Sequence, residues 1–178
     1  MRHTLTAVLF AVLVPHSALA QTAAPPAEVN QVLSTNPIVM MAKWVTVEFE
    51  RKIGPAVTLG ASASHLADLD QSNAAALVRW YPQQKALEGF YLGARAGAYR
   101  FKTTTYQFQP STRSTYREGN QVLPGAGVEL GYNWLLGPRR NVSVGVGFGL
   151  TRIIGGGASY DVPSVLPGAR LVNIGIAF

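Results

Sequence analysis

Cysteine is absent from the 178 residues. That excludes a disulfide scaffold, thiol catalysis and any cysteine-zinc site. Charge is scarce as well. Asp, Glu, Lys and Arg together make up 13% of the chain, about half the ~25% of an ordinary soluble protein. Of three histidines only His65 lies beyond residue 20, a thin basis for a metal site. Beyond the N-terminus no stretch of about 18 residues is free of charge, proline and turn signals, so no spanning helix is expected there. What the sequence does have is glycine, 18 residues, and a hydrophobic share of 48%. Such a chain does not read as disordered. Its length is that of one domain.

The first twenty residues carry the three parts of an export signal. Arg2 and His3 form a polar start, Leu5 to Val14 an apolar stretch, and Ala18-Leu19-Ala20 a small-residue cleavage site. The stretch is too short to span a membrane. Residues 1–20 are therefore expected to be a cleaved signal peptide. Residues 21–29, with Pro25-Pro26, are expected to be a flexible lead-in, and residues 30–178 the folded domain. No cysteine follows the cleavage site, so no lipid anchor is expected.

Beyond that point the period is two, not 3.6. Val142, Val144, Val146, Phe148 and Leu150 alternate with Ser143, Gly145, Gly147 and Gly149. Val128, Leu130, Tyr132 and Trp134 alternate with Gly127, Glu129, Gly131 and Asn133, and Val172, Ile174, Ile176 and Phe178 with Leu171, Asn173, Gly175 and Ala177. The pattern predicts strands over 30–40, 44–51, 55–65, 75–82, 89–102, 122–135, 141–153 and 169–178. Segment 36–51 also reads as one long strand, which would leave seven. The even number favours eight. Short connections (52–54, 82–88, 137–140) alternate with long ones (66–74, 103–121, 155–168). That is the arrangement of an up-and-down transmembrane barrel, with short turns at one end and longer loops at the other.

The two faces decide which side is inside. One face is aliphatic; the other is Gly, Ser, Asn and a few charges. Gly and Ser make a poor wet face for a sandwich but suit the crowded interior of an eight-stranded barrel. By parity Glu48, Arg79, Arg95 and Glu129 point inward, two acids and two bases, and are expected to form an ion-pair network, since buried charges must be paired. On the opposite parity Phe49, Trp80, Phe90, Trp134 and Phe178 sit at strand ends beside the short turns, an aromatic girdle.

The run Leu171 to Phe178, ending on an aromatic residue, resembles the terminal strand of Gram-negative outer-membrane barrels. The chain from about residue 36 onward is similar to the small OmpX/OmpA-type eight-stranded barrels. The runs 125–134 (Gly-Ala-Gly-Val-Glu-Leu-Gly-Tyr-Asn-Trp) and 78–82 (Val-Arg-Trp-Tyr-Pro) look most like an uncharacterised subgroup of them. The resemblance implies an outer-membrane location and recognition by the barrel-assembly machinery through the strand that ends in Phe178.

The candidate binding residues are basic. Arg100, Arg152 and Arg170 share outward parity beside the long loops, an external rim at the level of lipopolysaccharide phosphates, with Lys102, Arg113 and Arg117 nearby. Arginine forks bind phosphate in bidentate fashion. His65 also faces outward, but its same-face neighbours along the strand are Ala63 and Ala67, while Ser62 and Ser64 point the other way. A base without a nucleophile in reach is not a catalytic site. Asp68 and Asp70 read as a solvated turn rather than a calcium site. In the 103–121 loop, Tyr106, Phe108 and Tyr116 are candidates for a surface contact on strands prolonged beyond the barrel. The net charge of +6, +5 once Arg2 leaves with the signal peptide, is split among lumen, rim and turns, which argues against nucleic acid.

The reading is an all-β, eight-stranded antiparallel outer-membrane barrel, monomeric and non-enzymatic, without cofactor or metal. Its expected role is envelope integrity or surface interaction, with outer-membrane lipids and lipopolysaccharide as partners. The alternatives are a lipid A-modifying acyl hydrolase or transferase, and a soluble periplasmic lipid-binding barrel with its faces reversed.

Overall fold

The computed structural model describes residues 28–107, 115–156 and 162–178. The expected signal peptide, most of the lead-in and Arg113 lie outside the described residues. So do Phe108 and the side chains of Tyr106, Tyr116 and Arg117. Eight antiparallel strands follow one another in sequence order and close on themselves. They are β1 (Gln31–Thr35), β2 (Trp44–Lys52), β3 (Val57–Leu66), β4 (Gln71–Trp80), β5 (Gly89–Gln107), β6 (Thr115–Leu136), β7 (Val142–Ile153) and β8 (Val165–Ala177). β1 pairs with β2 on one side and β8 on the other, which closes the barrel. Among the described residues no helix is long and apolar enough to cross a membrane.

The short turns, the start of β1 and the end of β8 share one end of the barrel. Gly137 opens the β6–β7 turn in the left-handed region at φ 87°, where glycine alone carries no steric cost.

At the other end the expected boundaries of β1, β4, β5, β6 and β8 move, β8 beginning at Val165 rather than at 169. The strand expected over 30–40 stops at Thr35, because Asn36-Pro37 starts a helix. Pro37–Met41 forms a short α1, with Asn36 Oδ1 accepting from the Ile38 and Val39 amides at 3.2 and 3.3 Å. An asparagine cap followed by proline is a strong helix start. That turn also separates β1 from β2 and settles eight strands over seven. The long 66–74 loop is instead a single 3-10 turn, Ala67–Leu69, so β4 begins at Gln71. β5 and β6 run well past the expected 102 and 122. They stay paired to Gln107↔Thr115, the protruding hairpin that the 103–121 segment suggested.

Inside, the barrel is layered. Tyr99, Phe101, Ile153 and Val162 form an apolar cluster toward the long-loop end, with Leu123 and Leu166 against them. Val32, Leu87 and Ala177 form another toward the short-turn end, with Val29 and Leu135. Between the two lies the charged layer.

Candidate functional site

Strand parity aims the charges of the middle layer inward. Glu48, Arg79, Arg95 and Glu129 meet there, together with Glu50 and Arg170. Arg79 is fully buried. Its Nη1 donates to Glu48 Oε1 at 2.8 Å and Glu50 Oε2 at 2.5 Å, and its Nε to Glu129 Oε1 at 2.5 Å. Arg95 Nη2 lies 3.1 Å from Glu129 Oε2, and Arg170 Nη2 lies 2.9 Å from Glu48 Oε1. Three acids thus face three bases. Neutral donors finish the layer. Thr58 and Tyr81 donate to Glu50 Oε1 at 2.5 and 2.7 Å, and Asn133 donates to the Tyr81 hydroxyl at 2.9 Å. Arg79 and Arg170 both lie over the Tyr91 ring, 4.6 and 5.6 Å from its centroid, a favourable placement for a cation.

The glycine face makes this crowding possible. At Gly147 an added Cβ would come within 2.7 Å of the Tyr91 hydroxyl. A cavity of about 90 Å³ remains beside the network, lined by Thr46, Glu48, Ser62, Asn73, Arg95 and Arg170 among others.

Two network members escaped the sequence reading for different reasons. Glu50 shares the parity of Glu48, so the signal was present in the two-residue step. Arg170 is a correction: it is not on the rim with Arg100 and Arg152 but inside. Between β7 and β8 the register passes from Gly145↔Asn173 to Gly147↔Arg170, two residues on β7 against three on β8. The extra residue is a bulge at Leu171-Val172, and a bulge inverts parity beyond it. Leu171 accordingly points out, and Arg170 points in.

Arg152 is exposed on the outer face, and Arg100 is half-buried there. Arg100 is forked onto Asp70, Nη1 to Oδ1 at 3.3 Å and Nη2 to Oδ2 at 3.1 Å. Lys102 pairs with Glu118 at 2.8 Å. Asp68 holds Lys43 at 2.8 Å, and this hydrogen bond raises the Lys43 ammonium above its ordinary pKa. Both aspartates of the Asp68/Asp70 turn therefore have cationic partners. Among the described residues no group of three or more His, Asp or Glu is arranged to hold a metal.

His65 requires a second correction. A nucleophile is in reach, across the sheet rather than along the strand. His65 pairs in register with Ser72 of β4, and its Nδ1 lies 2.9 Å from Ser72 Oγ.

The outer face is apolar around the barrel. Val45, Val47, Leu59, Val78, Leu92, Val128, Leu130, Phe148, Leu150, Ile174 and Ile176 are all exposed. Phe49, Trp80, Phe90, Trp134 and Phe178 lie toward the short-turn end, and Tyr132 joins Trp134 with ring centroids 4.6 Å apart. A soluble lipid-binding barrel needs the reverse, apolar within and polar without.

Together these features define a small closed antiparallel barrel with a charge-filled lumen and an apolar exterior. The chain belongs to the family described as protein of unknown function (DUF3575), whose model matches residues 6–161. The crystal structure of the N-terminal β-barrel domain of Pseudomonas aeruginosa OprF is similar at 12% sequence identity and a TM-score of 0.49, over 84% of this chain and 96% of that one. No curated protein matches the sequence.

Proposed function

We propose that this chain is an outer-membrane barrel that serves envelope integrity, monomeric, with a sealed lumen and a rim that contacts lipopolysaccharide. The observation that carries this reading is the exposed aliphatic band on every strand. A soluble monomer rarely leaves a contiguous apolar patch beyond a few hundred Å². In a bilayer the same band is the lowest-energy surface, and closing the sheet leaves no unpaired edge along it. The aromatic cluster at the short-turn end supports a membrane–water boundary there. Outward Ile174 and Ile176 on β8, with Phe178, fit recognition by the barrel-assembly machinery.

The rim reading now rests on Arg100 and Arg152. Among the described residues Arg152 has no acidic partner and can fork a phosphate, and Arg100 would do so by exchanging or sharing Asp70. Two measurements test the proposal. The purified chain in detergent should shift in gel mobility on heating and show β-rich circular dichroism. Solubility in plain buffer without a shift would refute the membrane reading. R100Q/R152Q should retain less lipopolysaccharide through purification, and unchanged retention would refute the rim.

A further inference from the structure

We propose that Ser72 and His65 form a nucleophile–base pair that cleaves a carboxylic ester of an anionic amphiphile at the outer rim of the barrel. The inference rests on the reading of the outer face as lipid-facing. Three observations converge on it.

The first is the pair itself, a hydroxyl and an imidazole 2.9 Å apart on the outer surface. That is the geometry a base needs to activate a serine. On the β2 side and toward the barrel middle its outward neighbours are apolar: Val45 is opposite His65 on β2, and Ala63 and Ala74 are the next outward pair.

The second is Arg100. It pairs in register with Ser72 on the side away from His65, so histidine, serine and arginine form one row across β3, β4 and β5. Asp70 holds the guanidinium through two hydrogen bonds. A fixed positive group beside a nucleophile suits either the developing oxyanion or a phosphate on the same substrate.

The third is the wall directly below the row. Outward positions on β3, β4 and β5 there are alanines: Ala61 opposite Ala76, Ala63 opposite Ala74, and Ala96 and Ala98 beside them. On β2 the outward side chains next to them are the larger Val47 and Phe49, so the alanine stretch lies lower than its β2 border. An acyl chain lying along the alanines brings its carbonyl end up to Ser72.

The chemistry balances without a cofactor. With its hydrogen on Nε2, His65 accepts the Ser72 proton at Nδ1 as Oγ bonds to the acyl carbon. The ester C–O bond then breaks, and the leaving alcohol takes that proton from His65. Water, deprotonated by His65, attacks the acyl-serine, releasing the fatty acid and restoring both groups.

The test uses the purified full chain in detergent micelles, with a fluorophosphonate probe and with vesicles containing phosphatidylglycerol. The probe should mark Ser72 by peptide mapping, and the vesicles should release fatty acid. S72A should lose both signals. H65Q should lower them by about 100-fold or more, the scale of a lost general base. R100Q should raise KM for the anionic lipid more than it lowers kcat. Heat-dependent gel mobility of each variant reports that it still folds. No labelling of Ser72, or fatty-acid release undiminished in S72A, would overturn the proposal. Labelling of Ser72 in a chain that shows no mobility shift would support the pair while refuting the membrane reading.

Discussion

Arg79 and Glu129 are bonded at 2.5 Å across an intervening strand, and Gly93 is the residue between them. Arg79 pairs in register with Gly93, and Gly93 with Glu129. A Cβ on Gly93 would meet Glu129 Cγ at 2.8 Å and Arg79 Cγ at 3.1 Å. The ion pair exists because the middle position has no side chain.

G93L should therefore disrupt the layer at its centre. Overpacking alone costs about 1–3 kcal/mol, and displacing the buried pair adds to that. Urea unfolding in detergent, followed by tryptophan fluorescence, should show a lowered midpoint. A midpoint equal to wild type would mean that the pair does not require the gap.

E129Q removes one of three acids and leaves a net positive layer. The expected cost is about 3–5 kcal/mol, the scale of a broken buried pair. R95M added to it restores the balance, so the double variant should be more stable than the sum of the single losses predicts. Strictly additive losses would remove Arg95 from the network.

Arg170 and Arg152 separate lumen from rim. R170Q should cost about 3 kcal/mol through its lost contacts to Glu48 and Tyr91 and leave lipopolysaccharide retention unchanged. R152Q should stay within about 0.5 kcal/mol of wild type. The reverse ranking in unfolding experiments would put Arg170 back outside.

Val128, on the outer face of β6, is 66% exposed. On a water-facing surface V128R would be nearly neutral, within about 0.5 kcal/mol. On a lipid-facing one near the bilayer centre it should cost about 2–4 kcal/mol. Refolding yields into vesicles decide between them; no loss would move the band out of the membrane.

The parity of two carried most of the architecture. It puts Glu48, Arg79, Arg95 and Glu129 on one face because a strand has no other way to place them. It fails where the backbone departs from regular pairing. Nothing in Leu171-Val172 marks a bulge, so parity alone puts Arg170 on the outer face. Asn36-Pro37 is a legible helix start that an apolar run (Ile38 to Met41) obscured. Ser72 is hidden in the sequence for another reason. Reading along β3 finds only alanines next to His65 on its face, while its partner lies on the next strand, and cross-strand register depends on the length of the turn between. Once the connection is a single 3-10 turn, Ser72 arrives beside His65 by geometry alone.

β1 has only five residues, held by four residue pairs to β2 and four to β8. Above Thr35 the wall is carried on by α1 against β2 and β8, tied by Thr35 Oγ1 donating to the Thr46 carbonyl at 2.5 Å. The β5–β6 hairpin, by contrast, is zipped through nineteen residue pairs. Under tension the molecule therefore has one weak seam. Drawn from its N-terminal end, the cylinder should peel open at β1 and turn into a seven-stranded sheet before any other joint gives way.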